Sequence, residues 1–217
     1  LGAANATQTP WVTTYHGAYT QTGHLKKAYN QIMTQSHHVI APSKFMRTHI
    51  LEHYPECDHK LTSIPRGIDC NTFSPDAISN QARKSLREHW QITPSTPLIL
   101  LPARFTRLKG HQCAIKAIAQ VKDTLEQHHA KVIMAGNTNN TSYVSECKAL
   151  IKTLGCEDLI DIKSHVDDIK TAYAIADIVL APSTQPESFG RTVVECQAME
   201  KIVIASKLGG CIETIEH

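Results

Sequence analysis

Residues 178–195 read IVLAPSTQPESFGRTVVE, an apolar run followed by a proline-marked loop and a helical pattern. The run Ile178–Ala181 predicts a buried strand, and Glu187 and Glu195 stand on the loop and about two turns into the helix. A helix N-terminus after a parallel strand presents free N–H groups and a positive dipole end, which favour phosphate. Carboxylates beside it are bidentate acceptors for sugar hydroxyls. The stretch predicts either a nucleotide-sugar site or an ordinary corner with two solvated glutamates.

A second strand, Leu98–Ala103, ends in the basic loop RFTRLKGH at residues 104–111. Ligands of open parallel sheets bind outside the carboxyl ends of the strands, so Arg104 and Lys109 are expected at the same rim as Glu187. An arginine fork and a lysine charge are the usual partners of a diphosphate. Plain surface charge is the alternative, and the combination of the two loops favours a site.

Strands and helices alternate along the whole sequence, which indicates an α/β protein with parallel sheets. Several strands are apolar on both faces, as strands covered by helices on two sides must be. The predicted strands are 11–15, 38–41, 60–64, 98–103, 131–135, 159–162, 177–181 and 202–205. The predicted helices are 25–36, 43–53, 78–89, 110–127, 141–154, 167–175 and 189–199. The segment 93–97, rich in proline and threonine, is the best candidate linker.

The composition is typical of a cytosolic enzyme. The chain has 217 residues, of which 41% are hydrophobic, and a formal net charge of only +2, so nucleic acid is not an expected partner. No apolar run approaches the roughly 20 residues that span a bilayer. The seven cysteines form no CxxC pair and are predicted to be reduced, mostly buried thiols. The thirteen histidines show no HExxH spacing, so no metal site is expected.

The pairing of Arg104 and Lys109-Gly110 with the sequence ESFG at 187–190 and with Glu195 resembles the retaining glycosyltransferases of the GT-B fold. More narrowly, it resembles the group 1 family (family 4), which uses nucleotide-diphospho-sugars. Further matching pieces follow in the family's order from about residue 10 to 215: TYHG at 14–17, APSK at 41–44, IPRGID at 64–69 and SKLGGCIE at 206–213.

The resemblance implies an α/β protein of the GT-B type, with two Rossmann-like, doubly wound parallel-sheet domains that face a cleft. Residues 1–76 would be the C-terminal part of the N-terminal, acceptor-side domain. Residues 77–97 would be the linker, and residues 98–217 the nucleotide-sugar-binding domain. Both domains are expected to be incomplete in this chain, since the family's first half-domain and closing C-terminal helices have no counterpart here.

The resemblance also implies roles for individual residues. Arg104 and Lys109 would neutralise the charge on the leaving diphosphate, Glu187 would fix the donor sugar, and His16 would lie near the reacting centre. These four residues are the predicted catalytic set. The predicted substrate-binding residues are Gly17, Val166, Ser188, Phe189, Gly190 and Glu195.

Three of these binding assignments have a stated chemistry. Glu195 would hold the two ribose hydroxyls, the backbone near Val166 would meet the nucleobase, and the N–H groups of 188–190 would meet sugar and phosphate oxygens. Gly209, Gly210 and Glu213 would either shape the rim near the donor or form a tight turn and a helix start.

The predicted function is transfer of a sugar from a nucleotide-diphospho-sugar to a hydroxyl of a glycan or lipid-linked acceptor, with retention of configuration, in cell-envelope or lipopolysaccharide synthesis. No cofactor or metal is expected beyond the nucleotide-sugar co-substrate. Two alternatives on the same fold stay open, a non-catalytic nucleotide-sugar-binding protein and a phosphorylase or synthase. A dinucleotide-dependent oxidoreductase is disfavoured because no G-x-G-x-x-G follows a strand.

A basic segment, residues 25–47 together with the adjacent His24, predicts peripheral contact between the protein and an anionic membrane. Each cation near such a leaflet contributes roughly 1 kcal/mol, enough for salt-sensitive, reversible docking. A solvated helix face is the alternative. The basic and histidine residues of the segment are His24, Lys26, Lys27, His37, His38, Lys44 and Arg47.

Overall fold

The computed structural model describes residues 2–18, 24–164 and 166–215. The chain divides into two compact units. The first unit comprises residues 1–67, 186–190 and 207–217, and the second comprises residues 68–185 and 191–206. The expected domain boundaries at 76/77 and 97/98 stay predictions.

The first unit contains a parallel sheet of three strands in the order β1-β2-β3: β1 (Val12–Thr14), β2 (His38–Ala41) and β3 (Leu61–Ser63). Its helices are α1 (Gly2–Ala6), α2 (His24–Gln31) and α3 (Lys44–His53). Short 3₁₀ turns cover Ile32–Thr34, Pro55–Lys60 and Gly210–Glu213.

The core of the first unit lies between this sheet and α3. Met46 and Ile50, four positions apart on one face of α3, are fully buried with Tyr15 and Val39. The helix begins after Ser43, whose Oγ accepts the N–H of Met46 at 3.0 Å as an N-cap.

The second unit contains a parallel sheet of five strands in the order β6-β5-β4-β7-β8. The strands are β4 (Leu98–Pro102), β5 (Lys131–Ala135), β6 (Ile160–Lys163), β7 (Ile178–Ala181) and β8 (Ile202–Ala205). The helices are α4 (Asn80–His89), α5 (His111–Gln120), α6 (Lys122–Gln127), α7 (Thr141–Thr153), α8 (Ile169–Ile175) and α9 (Arg191–Ala198). Short 3₁₀ turns cover Pro75–Ala77 and Arg107–Lys109.

Two apolar clusters form the core of the second unit. Leu98, Leu100 and Ile133 are fully buried in one, and Leu101 and Val132 in the other, so neighbouring residues of one strand face opposite clusters. Helix α4 is fastened to α8 by arginines, since Arg83 and Arg87 donate to the carbonyl oxygens of Ala174 at 2.8 Å and Ile175 at 2.9 Å. Helix α4, which lies within the expected linker 77–97, is therefore part of the second unit.

The predicted helix 110–127 is wrong as a single element. The structure has two helices that meet at Val121, whose φ of −114° and ψ of 17° are not helical. The N–H of Val121 bonds to Ile118 at 3.1 Å, an i→i−3 bond that tightens the last turn of α5. Val121 is 50% exposed, whereas Ala114 and Ile118 of α5 are buried.

The cysteine prediction is confirmed for all seven positions, which lie in the described ranges. None is in a disulfide, and only Cys70 and Cys113 are exposed. Across residues 2–18, 24–164 and 166–215, no helix combines the length and the apolar composition needed to cross a bilayer.

Candidate functional site

The strand order of the second sheet creates a switch point between β4 and β7. From β4 the chain continues to β5 on one side, whereas β7 pairs with β4 on the other side and leads to β8. In sheets of this kind, ligands bind outside the carboxyl ends of the strands near such a point. The loop with Arg104 and Lys109 follows β4, and the loop at 182–185 follows β7.

These two loops touch closely in the second unit. The N–H of Thr184 donates to the carbonyl oxygen of Leu108 at 2.9 Å. Gly110 has a φ of +71°, and a Cβ atom there would lie 1.8 Å from the carbonyl oxygen of Pro182. Only glycine fits this approach. Gly110 ends the turn that carries Lys109 and caps α5, so the half-buried Lys109 lies beside a helix N-terminus.

Arg104 and Val166, predicted to act at the diphosphate and the nucleobase, line one cavity in the second unit. The cavity has a volume of about 230 Å³ and lies at the carboxyl ends of β4 and β5. Arg104 is exposed, and Val166 is half-buried. His165, next to Val166, lies outside the described residues. The other lining residues are Pro102, Ala103, Ala135, Gly136, Asn137 and Ile169.

Glu195 is held in a buried position on α9 and is only 9% exposed. The Tyr173 hydroxyl donates to its Oε2 atom at 2.9 Å, and Nη2 of Arg191 donates to Oε1 at 2.9 Å. Burial raises the pKa of Tyr173 far above its ordinary value, so the phenol stays a donor at any physiological pH. The alternative in which Glu195 is an ordinary solvated side chain is therefore excluded. A carboxylate has about four acceptor positions, and these two bonds use two of them.

The segment Glu187–Gly190 belongs to the first unit, where its carbonyl groups are anchored. The oxygen of Glu187 accepts the N–H of Gly210 at 2.7 Å, and the oxygen of Ser188 accepts Oγ of Ser43 at 2.6 Å. Phe189 is buried at 7% exposure. The Glu187 side chain is half-buried. These two hydrogen bonds thus fix the backbone of the segment within the first unit.

The helix predicted from residue 189 begins instead at Arg191. Gly190 has a φ of +87°, which lies outside the helical region, and a Cβ atom there would be 2.6 Å from Sγ of Cys211. Phe189 and Gly190 are therefore part of the loop. Their predicted role at the start of the helix stays a prediction.

Glu213 caps the beginning of α3 in the first unit. Its Oε2 accepts the N–H of Lys44 at 2.8 Å, and its Oε1 accepts the N–H of Phe45 at 2.7 Å. A carboxylate is favoured there because the helix dipole is positive at that end. Residues 210–213 form a short 3₁₀ turn, and the role of Gly209, Gly210 and Glu213 at the rim near the donor stays a prediction.

His16 is exposed and follows the buried Tyr15 at the end of β1. The guanidinium of Arg66 donates to Nδ1 of His16. Since arginine can only donate, Nδ1 must be the unprotonated nitrogen, and the ring carries its hydrogen on Nε2. Gly17, the next residue, is half-buried.

His111 is a buried histidine at the end of the basic loop predicted at residues 104–111. It is fully buried at the first position of α5 and stacks on Phe105 with a centroid distance of 4.2 Å. Burial lowers its pKa to about 4, and the nearby carbonyl groups of Ala103 and Thr106 oppose the effect without offsetting it. The ring is therefore neutral at physiological pH and structural in this setting.

Sequence reasoning missed a group of potential metal ligands on α3, formed by His49, Glu52 and His53. A search for HExxH does not find it, because the spacing here is the reverse, H-x-x-E-H. That reversed pattern was the signal available in the sequence.

The basic segment proposed to meet a membrane is only partly cationic at its surface. Lys26 and Lys44 are exposed, but Arg47 is paired with Asp58 at 2.6 Å. The side chains of His24 and Lys27 lie outside the described residues. Membrane contact stays a prediction.

Comparison with protein families and curated proteins gives consistent matches. The profile of glycosyl transferases group 1 matches residues 82–217, and that of glycosyltransferase family 4 matches residues 1–72. D-inositol 3-phosphate glycosyltransferase of Xylanimonas cellulosilytica is 28% identical over 83% of this chain and 43% of the relative. Lipopolysaccharide 1,2-N-acetylglucosaminetransferase of Salmonella typhimurium is 26% identical over 82% of this chain and 46% of the relative. The chain spans less than half the length of these relatives.

Solved structures match nearly the whole chain. A glycosyltransferase from Rickettsia africae superimposes with a TM-score of 0.85 and 34% identity over 99% of this chain and 56% of that structure. HepE from Anabaena, solved with UDP and glucose, superimposes with a TM-score of 0.85 and 27% identity over 99% of this chain and 57% of that structure. The predicted α/β class with parallel sheets and the GT-B type are confirmed.

Proposed function

The chain belongs to the glycosyl transferases group 1 family, and on that basis we propose that it takes part in sugar transfer from a nucleotide-diphospho-sugar. The acceptor is a hydroxyl group of a glycan or a lipid-linked molecule, and the configuration at the anomeric carbon is retained. The buried carboxylate of Glu195 carries this proposal. Tyr173 and Arg191 orient it and leave acceptor positions for a pair of hydroxyls.

The proposed donor site uses the switch point of the second sheet. Glu195 accepts the two ribose hydroxyls, and the cavity lined by Arg104 and Val166 takes the adjoining part of the nucleotide. Arg104 and Lys109 pair with the diphosphate, for which a guanidinium fork and an ammonium beside a helix N-terminus are suited. HepE, one of the similar structures, was solved with UDP-glucose, which supports a nucleotide-sugar as the ligand class.

Glu187 and the backbone of 188–190 are proposed to hold the transferred sugar. The carbonyl groups of Glu187 and Ser188 are already occupied by donors from Gly210 and Ser43. This anchoring supports a fixed backbone on which the Glu187 carboxylate can accept sugar hydroxyls. Fixing the sugar orients the anomeric carbon toward the acceptor, which lowers the entropic part of the barrier.

The proposed chemistry needs no enzyme nucleophile. The bond between the anomeric carbon and the diphosphate oxygen breaks, and the acceptor oxygen forms its bond on the same face of the sugar. The acceptor proton passes to the leaving phosphate oxygen. Arg104 and Lys109 stabilise the charge that develops on the diphosphate, and this electrostatic contribution replaces a metal ion.

His16 is proposed to lie at the acceptor side of the transferred sugar. With Nδ1 held by Arg66, its Nε2–H group is the one that can donate to a sugar oxygen. Arg66 is therefore a positioning residue for His16.

The proposed acceptor class is a cell-envelope glycan or a lipid-linked precursor, as in lipopolysaccharide synthesis. The Salmonella relative, named for a lipopolysaccharide transfer, supports this choice. The Xylanimonas relative is named for transfer to an inositol phosphate, so a small polyol phosphate is the competitor to test.

The test is a donor and acceptor panel with product analysis by NMR. UDP-, GDP- and ADP-sugars are incubated with the protein and with lipopolysaccharide-core or inositol-phosphate acceptors. We expect one donor to be consumed in the presence of an acceptor, with the product's anomeric configuration equal to that of the donor. Inverted products would contradict the mechanism. Binding of nucleotide-sugars without turnover would favour the non-catalytic alternative, and dependence on inorganic phosphate would favour a phosphorylase.

A further inference from the structure

Helix α3 carries three potential metal ligands on one face of its second half. His49, Glu52 and His53 are spaced i, i+3 and i+4, the spacing at which helical side chains meet. One ligand atom from each residue lies within 4.8 Å of the other two. The two imidazole centroids are 4.6 Å apart.

A hydrogen bond of His53 orients the ring for coordination. Nδ1 of His53 lies 2.8 Å from the carbonyl oxygen of His49. Since a carbonyl oxygen only accepts, Nδ1 carries the hydrogen, and the lone pair is on Nε2. A histidine that donates one N–H to a backbone carbonyl while its other nitrogen binds metal is the usual arrangement at protein metal sites.

His49 supplies an independent observation. Its Nε2 atom is shielded from solvent and has no hydrogen-bond partner among the described residues. Buried polar atoms are nearly always bonded to something, so this nitrogen calls for a ligand. The ring also packs against Phe45 and Tyr15, with centroids at 6.3 Å and 6.4 Å, which limits its movement.

We propose that His49, Glu52 and His53 form a binding site for a divalent transition-metal ion of the zinc class. Two imidazoles and one carboxylate suit Zn²⁺, whereas Mg²⁺ and Ca²⁺ prefer oxygen ligands alone. Tetrahedral coordination at Zn–N distances near 2 Å brings ligand atoms to about 3.3 Å from one another. Glu52 is exposed and free to rotate toward the rings. Three protein ligands leave one coordination position for water.

We expect this ion to stabilise α3, an effect that is separate from the proposed sugar transfer. Coordination from residues four positions apart would join successive turns of α3. The opposite end of that helix is capped by Ser43 and Glu213. The ring of His49 also contacts Tyr15, which precedes His16 in the chain. The ion would stabilise the first unit by mass action, since it binds the folded form.

The test is calorimetric titration of the untagged protein with Zn²⁺ and with Mg²⁺, in a Cys70→Ser, Cys113→Ser background that removes the exposed thiols. We expect one equivalent of Zn²⁺, a rise in the melting temperature, and no such response to Mg²⁺. Glu52→Gln should weaken Zn²⁺ binding at least about tenfold, and His53→Gln should weaken it further. His59→Gln, an exposed histidine of the same unit, is the matched control and should bind like the parent.

Cobalt replacement distinguishes this site from adventitious binding. Co²⁺ bound by two imidazoles and a carboxylate gives a visible ligand-field band without thiolate charge transfer. Circular dichroism checks that each variant is folded, and Glu52→Gln, an exposed change, keeps the test valid if His53→Gln is unfolded. The proposal is overturned if no stoichiometric Zn²⁺ binds, if thiolate charge transfer appears, or if His59→Gln weakens binding as much as Glu52→Gln does.

Discussion

The hydroxyl group of Tyr173 donates a 2.9 Å hydrogen bond to the carboxylate of Glu195, and both side chains are buried in the second unit. Tyr173 lies on α8 and Glu195 on α9, so the bond fixes the carboxylate relative to the sheet that the helices cover. Arg191 adds a second bond from one turn earlier on α9. A carboxylate held from two sides is preorganised, as the proposed binding of the two ribose hydroxyls requires.

The first prediction concerns Glu195. Glu195→Gln should weaken UDP and UDP-sugar binding to a similar extent, because ribose is common to both ligands. Loss of a charged acceptor in a buried site costs about 2 kcal/mol, or roughly 30-fold in Kd. Tyr173→Phe should have a smaller effect in the same direction, since it frees the carboxylate without removing it.

Isothermal titration calorimetry measures both constants, with the exposed Glu200→Gln as the control. A variant that loses affinity for the UDP-sugar but keeps full affinity for UDP would place Glu195 at the sugar instead.

The second prediction concerns Glu187, whose proposed contact is with the transferred sugar. Glu187→Gln should leave UDP affinity within about twofold and lower kcat by at least about tenfold, because the lost interaction orients the reacting sugar. The measurement combines UDP titration with steady-state kinetics. Equal losses in UDP affinity and in turnover would contradict the assignment, and Glu157→Gln, an exposed loop change, should alter neither.

Apolar strands and loop motifs were predictable from the sequence, whereas the partners of individual side chains were not. Ile178–Ala181 is apolar at every position, and this pattern indicates a strand without any knowledge of its neighbours. The burial of Glu195 depends on Tyr173, twenty-two positions earlier on another helix. A sequence pattern within one helix cannot reveal a contact between residues that far apart.

Two further structural features could not be predicted from the sequence. Glu213 caps α3 across 169 positions of sequence, so its function as a cap follows only from the fold. The break at Val121 arises from one tightened turn in a segment whose apolar period continues on both sides. By contrast, the H-x-x-E-H spacing at 49–53 was visible in the sequence and was missed because only its reverse was considered.

The third prediction concerns the close approach of Gly110 to Pro182. Gly110→Ala should destabilise the protein by about 3 kcal/mol or more, because the new Cβ would overlap a backbone oxygen that cannot rotate away. Gly155→Ala is the matched control. Gly155 has a similar φ of +62°, but its nearest neighbour is the end of the flexible Lys122 side chain at 3.4 Å.

Denaturant unfolding measures both changes. The control should cost only about 1 kcal/mol, the strain of a left-handed backbone. Equal costs for the two variants would show that backbone strain, and not the contact between the loops, sets the requirement at Gly110.

The fourth prediction concerns pH and His111, whose pKa in the folded protein is about 4 against 6.5 in the unfolded chain. Between these values the unfolded chain binds a proton that the folded protein does not. The contribution of His111 to stability is therefore complete above pH 6.5 and declines as the pH falls toward 4. The decline from this residue is on the order of 3 kcal/mol.

Urea unfolding at several pH values in this window tests the effect. His111→Phe keeps an aromatic ring against Phe105 and should flatten the pH dependence relative to the parent protein. His128→Gln, at an exposed position, should leave the dependence unchanged. A His111→Phe protein with the parent's full pH dependence would mean that other groups cause it.

The central claim is that the second unit binds a nucleoside diphosphate with Lys109 at the phosphates. The most direct test is calorimetric titration of the parent protein and Lys109→Ala with UDP, GDP and ADP and with the corresponding nucleosides. Lys148→Ala, an exposed lysine on α7, is the control. The account predicts that at least one diphosphate binds the parent far more tightly than its nucleoside, and that Lys109→Ala removes about tenfold or more of this difference while sparing the nucleoside. Equal losses for diphosphate and nucleoside, or no binding of any diphosphate to the parent protein, would contradict it.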